Sequence, residues 1–201
     1  MQSRFPGLSV TDQARHWDAA TRQVVLRRLE PAGAPRHFTP DQIDTLAALV
    51  GQLVDVPLPL ARDLAGAIDT RVADGQTDGW HYDDMPVDEV VWERSLAALD
   101  DEAGDDRRFA DLDAARQHEL LGTIAEGEET HWHGMPRAHL WNLWMRYACT
   151  AYYAHPAAWE EMGWAGPAYP RGYKNIGVDR REPFEVADAE PDFDPTRQGT
   201  A

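Results

Sequence analysis

The chain has 201 residues, 43% of them hydrophobic and 27% charged, a balance that folds around one core and excludes wholesale disorder. Against 35 Asp and Glu stand 19 Lys and Arg, a formal charge of −16, and that field repels phosphate backbones and anionic lipid alike, which excludes nucleic acid and membrane surfaces as partners. Cys149 is the only cysteine, so no internal disulfide or thiolate zinc cluster can form; a buried, inert thiol in a reducing compartment is expected.

Residues 1–37 read as a polar N-terminal extension. Met1 to Val10 lacks the charged start and apolar run of a secretory signal. Arg27-Arg28-Leu29 has only the outline of a twin-arginine signal, because Glu30 and Pro31 follow where an apolar stretch is needed. A cytoplasmic location is therefore expected, with co-export alongside a partner left open.

The first strong element opens at Thr39-Pro40-Asp41-Gln42, which supplies an N-cap, a proline at the first helical position, an early acid and a capping-box glutamine. Ile43, Leu46, Leu49, Val50 and Leu53 recur at helical spacing until Pro57 and Pro59. Leu60, Leu64, Ala67, Ile68 and Val72 repeat the period up to Asp74-Gly75. Gln76 to Met85 reads as a loop. A third helix begins near Asp88, carries Val91, Leu96 and Leu99 inward and ends in the acidic run from Asp100 to Asp106.

Phe109 and Leu112 lead into a shorter helix with Leu120, Leu121 and Ile124 inward, closed by the Gly127 region. Pro136 to Ala154 predicts a long central helix, apolar around most of its circumference, which Pro156 ends. Its most apolar window, Leu140 to Tyr153, is interrupted by Asn142 and Arg146 and is too short to span a bilayer. Trp159 to Gly177 mixes aromatics with Gly and Pro and predicts an ordered, non-regular loop. No strand is predicted from Phe38 onward. The fold class is all-α: one helical domain over 38–181, a Gly/Pro/aromatic closing loop, and an acidic C-terminal tail over 182–201.

Two polar constellations bear on chemistry. Glu126, Glu128, Glu129, His131 and His133 are metal-ligand types, but a two-residue spacing separates the imidazoles on a helix, and no HExxH is present. A distant third ligand such as His81 or Asp84 could complete such a site, and the plain alternative is a polar surface loop. His81-Tyr82-Asp83-Asp84 sets a base beside carboxylates, against the plain reading of a turn and helix cap. His139 and His155 flank the long helix as packing or capping residues. Nucleophile elbow, Walker loop and GxGxxG are all missing from the sequence.

The strongest compositional signal is aromatic. Trp159, Trp164, Tyr169 and Tyr173 stand among Gly163, Gly166, Pro167, Pro170 and Gly172, a mixture that suits either a contact surface or a loop closing the protein's own core.

Phe38-Thr39-Pro40-Asp41-Gln42, Phe109-Ala110-Asp111-Leu112 before Leu120-Leu121, and Tyr152-Tyr153-Ala154-His155-Pro156 followed by Gly163-Trp164 and Gly166-Pro167-Ala168-Tyr169-Pro170-Arg171-Gly172-Tyr173 together resemble, in that order, the gluconate 2-dehydrogenase subunit 3 family. The resemblance covers roughly Trp17 to Phe184. It implies a small helical accessory subunit that binds, and stabilises or matures, a large flavin-dependent dehydrogenase of the glucose-methanol-choline type acting on sugars or other alcohols. FAD and the catalytic bases belong to that partner; no catalytic, cofactor-binding or metal-ligating residue is carried over to this chain. The closing motif supplies the candidate partner interface: Tyr153, His155, Trp159, Trp164, Tyr169, Pro170, Arg171, Gly172 and Tyr173, with Asp179-Arg180-Arg181-Glu182 as a charged rim. The rival readings are a stand-alone metal-dependent enzyme using His131, His133 and nearby carboxylates, which metal analysis separates, and a transient folding chaperone for the same partner.

Overall fold

The computed structural model describes residues 4–104, 106–178 and 180–192. Among the described residues the fold is all-α apart from one minimal hairpin: α1 (Ala19–Arg27), α2 (Pro40–Leu53), α3 (Leu58–Ala73), α4 (Asp88–Glu102), α5 (Ala114–Glu126), β1 (His131–Trp132), β2 (Met135–Pro136), α6 (Arg137–Ala154) and α7 (Pro156–Glu161), with 3₁₀ turns at Thr11–His16 and Phe109–Asp111. The chain divides into two compact units, Pro31–Tyr152 and Met1–Glu30 with Tyr153–Ala201.

In the larger unit the expected signals act as expected. Thr39 Oγ1 accepts the Gln42 N–H at 3.2 Å while Gln42 Oε1 accepts the Thr39 N–H at 2.9 Å, a reciprocal cap that fixes the start of α2. Leu46, Leu49 and Val50 of α2 and Leu64 and Ile68 of α3 are buried. Gly75, at φ +61°, takes the left-handed position that ends α3. No single described helix is long and apolar enough to cross a membrane; α2 and α3 pass that test only together, across a 114° bend.

Two buried carboxylates organise this unit. Asp69 of α3 accepts the backbone N–H groups of Arg36, His37 and Phe38 at 2.7, 3.0 and 2.9 Å, pinning the segment that enters α2. Asp88, the first residue of α4, accepts the Tyr147 hydroxyl at 2.7 Å; burial, then that bond, pushes the Tyr147 phenol above its ordinary value. Trp144 of α6 donates its indole N–H to Ser95 of α4 at 3.1 Å. Leu140, Leu143, Trp144, Tyr147, Ala148 and Tyr152 form the buried stripe of α6, while Trp141 is half-exposed. Cys149, expected to be buried, is also only half-buried.

The absence of strands needs correction. His131 pairs with Pro136 and Trp132 with Met135, antiparallel. The two turn residues, His133 at φ 46° and Gly134 at φ 76°, are both left-handed, the geometry that reverses a two-residue hairpin.

The smaller unit is more ordered at its N-terminal end than a polar extension implies. Asp18 caps α1 by accepting the Thr21 N–H at 2.8 Å, and Val10, Trp17 and Val25 are buried. Asp179 and the tail from 193 lie outside the described residues.

Candidate functional site

The closing segment sits entirely within the smaller unit. Pro156 begins α7, a short helix inside what reads in sequence as irregular chain; the His155 imidazole caps it, accepting the Ala157 N–H at 3.1 Å. The buried face of α7 carries Trp159, 3% exposed, whose indole N–H donates to the Tyr153 carbonyl at 2.7 Å. Arg28 lies over the same ring at 5.5 Å. Trp159 is thus a support beneath the surface and is not itself available to a partner.

After α7 the path is set by close packing. A Cβ at Gly163 (φ +77°) would fall 2.5 Å from the Phe5 ring, and one at Gly166 (φ +82°) 3.0 Å from Trp17. The Trp17 indole donates to the Pro167 carbonyl at 2.7 Å, and Glu160 accepts the Val10 N–H at 2.8 Å. These ties between the chain's beginning and the segment after α7 hold a loop that has no regular hydrogen-bond ladder. Within it the Gly172 N–H reaches the Ala168 carbonyl at 2.7 Å, around a cis Tyr169-Pro170 bond.

On that scaffold the large side chains divide. Tyr153, Trp164, Tyr169 and Tyr173 are exposed, Tyr169 by 64%. Trp164 packs edge-on against Trp159 at 4.6 Å, so one exposed aromatic rests on a buried one. Pro170 and Gly172 are exposed beside them. Met162, Ile176 and Val178 are exposed too; sequence reasoning passed over them because isolated aliphatics carry no motif.

Arg171 faces inward more than expected. Its Nη1 donates to Gln13 at 2.9 Å and the guanidinium lies 3.5 Å over the Phe184 ring, with Nε and Nη2 buried and without hydrogen bonds. Burial pulls its pKa below the ordinary arginine value. Glu182 is buried also: it accepts the backbone N–H groups of Lys174 and Asn175, bonds that hold its pKa below the usual carboxylate range. Glu182 therefore anchors the loop rather than forming a charged rim, and Asp179 lies outside the described residues.

The polar constellations do not converge. His131 Nδ1 is 3.0 Å from Thr130 Oγ1, whereas His133 Nε2 is 3.0 Å from Glu102. Asp84 is engaged with His139 Nδ1 at 2.8 Å, and Tyr82 stacks on that imidazole at 3.6 Å. Among the described residues no group of three ligand types includes His131 or His133. A cleft of about 460 Å³ in the larger unit is lined in part by Asp44, Arg62 and Arg108, whose charges pair with one another at 2.9 and 3.3 Å.

Compared with known families, residues 40–167 match the model for gluconate 2-dehydrogenase subunit 3, more than half of the chain. No curated protein and no solved structure matches it.

Proposed function

The chain belongs to the gluconate 2-dehydrogenase subunit 3 family, and from that premise we propose that it is a non-catalytic small subunit that binds, and stabilises or matures, a large FAD-dependent sugar or alcohol dehydrogenase of the glucose-methanol-choline type. The observation that supports this reading is the closing loop: Tyr153, Trp164, Tyr169 and Tyr173 are exposed on a backbone held by Trp17, Glu160 and Glu182. Aromatics that are already positioned lose little freedom on binding, which is what a docking face requires. Flavin and catalytic bases reside in the partner. A cytoplasmic complex is part of the same proposal, since a reducing compartment suits a chain with Cys149 as its only cysteine.

The test is co-purification from the native host, with mass spectrometry and a visible spectrum of the eluate. A large co-eluting protein with a flavin spectrum is expected. Tyr169→Ala with Tyr173→Ala, folded by circular dichroism, should weaken the complex by at least roughly 30-fold, the loss of one interface hot spot. Undiminished flavoprotein recovery with the folded double variant would remove this loop from the interface, and a lone colourless chain would remove the stable complex.

A further inference from the structure

The larger unit carries a constellation that the docking reading does not use. The His37 backbone is fixed by Asp69, together with those of its two neighbours. Its imidazole stands edge-on to Phe38 at 4.7 Å and its side chain is 12% exposed. Glu89 and Glu93, placed on one face of α4 by their i, i+4 spacing, stand 3.8 Å from Nδ1 and 3.4 Å from Nε2 respectively. One ligand atom from each of the three residues lies within 4.8 Å of the others.

An ion pair alone leaves this arrangement incomplete. Nε2 is buried and makes no hydrogen bond, and a buried polar atom left without a partner destabilises the fold that holds it. Imidazole with carboxylates is a donor set for zinc and its neighbours, not the all-oxygen set of calcium or magnesium. At zinc bond lengths of about 2.0–2.1 Å, two tetrahedral donors stand roughly 3.4 Å apart, which is the separation of His37 Nε2 from Glu93 Oε1. Glu89 lies nearer Nδ1, but the three ligand atoms stand within 4.8 Å of one another, so a turn of its 61%-exposed side chain brings its carboxylate to the same ion.

We propose that His37, Glu89 and Glu93 form a binding site for a divalent transition ion of the zinc class, with water in the remaining coordination. The protein side of the site is half preorganised: the imidazole is held by packing and by the Asp69 anchor, while the two carboxylates close around the ion. Bound there, the ion ties the segment entering α2 to α4. It is a structural brace within the larger unit, and it stands whether or not the flavoprotein reading does.

The experiment is titration of the metal-stripped full chain with Co²⁺, followed by visible absorption and calorimetry, with Zn²⁺ as competitor. One saturable site with d–d bands that Zn²⁺ abolishes is expected, together with a rise in Tm on adding Zn²⁺. Glu89→Gln with Glu93→Gln alters two side chains that are 61% and 51% exposed, so the fold should persist while affinity falls roughly 100-fold or more. His131→Ala with His133→Ala should leave binding unchanged. Absence of saturable binding up to about 1 mM Co²⁺, or binding indifferent to the paired glutamine variant, overturns the site.

Discussion

Replacing Asp69 by alanine tests the central claim about how the larger unit is assembled. One carboxylate accepts three consecutive backbone N–H groups, at 2.7, 3.0 and 2.9 Å. A hydrogen bond to a charged group contributes about 1.5–3 kcal/mol, but three bonds sharing one acceptor do not add in full. The Phe38 N–H is buried, whereas those of Arg36 and His37 are only part-buried and regain water. Counting one bond whole and discounting two gives a loss of about 3–5 kcal/mol, a large part of the roughly 5–15 kcal/mol that holds a domain folded. Asparagine keeps an acceptor for His37 and Phe38 and loses the one for Arg36, so Asp69→Asn should cost about 1–2 kcal/mol. Urea unfolding followed by the fluorescence of buried Trp92 and Trp144 measures both; at a slope near 2 kcal/mol/M the alanine midpoint falls by about 2 M. A loss below about 1 kcal/mol for Asp69→Ala, or a larger loss for asparagine than for alanine, refutes the anchoring role.

Three further outcomes are expected. Gly66→Ala puts a Cβ 2.3 Å from the Ala32 Cβ, so overlap of about 1–3 kcal/mol outweighs a helix-propensity gain of about 1 kcal/mol; thermal melts should show destabilisation, relieved by adding Ala32→Gly. The Glu182 pKa is depressed, chiefly by the Asn175 backbone N–H, so its hold on residues 174–175 is complete at neutral pH and is lost as pH falls through and below the ordinary glutamate range. The Asn175 amide resonance should shift through that window, and in Glu182→Gln it should sit at its acid position throughout. Trp159→Ala should cost about 3–5 kcal/mol of stability, measured by chemical denaturation, whereas Tyr169→Ala should leave stability within about 0.5 kcal/mol.

Elements whose start is written into adjacent residues were legible. The Thr39 cap, the onset at Asp88 and the long helix before Pro156 all follow from local chemistry, and the structure places α2, α4 and α6 there. The hairpin at 131–136 escaped because two-residue strands are too short to show a period; its one signal was the Gly134 turn. α1 escaped although Asp18 carries the mark of an N-cap, since its large apolar residues, Val24, Val25 and Leu26, are consecutive rather than at helical spacing and only Val25 is buried. Asp69 gave no signal at all. An aspartate inside a helix reads as a solvated position, and only contacts some thirty residues away along the chain turn it into an anchor.

The same limit explains the candidate sites. Composition identifies Trp159 and Trp164 as one aromatic cluster, yet Trp159 is sealed on the inner face of α7 and Trp164, after the left-handed Gly163, is exposed. What separates them is a helix of six residues and a backbone reversal that brings the chain against Phe5 and Trp17, contacts made by the opposite end of the sequence. His37 obeys the same logic in reverse. A lone histidine before a helix cap carries no ligand spacing, and the Glu89/Glu93 pair reads as a solvated face. The fold must first bring α4 beside the segment that Asp69 holds before an imidazole and two carboxylates share one volume. Local sequence thus decides where helices begin, while long-range packing decides which of their side chains face a ligand, a partner or the core.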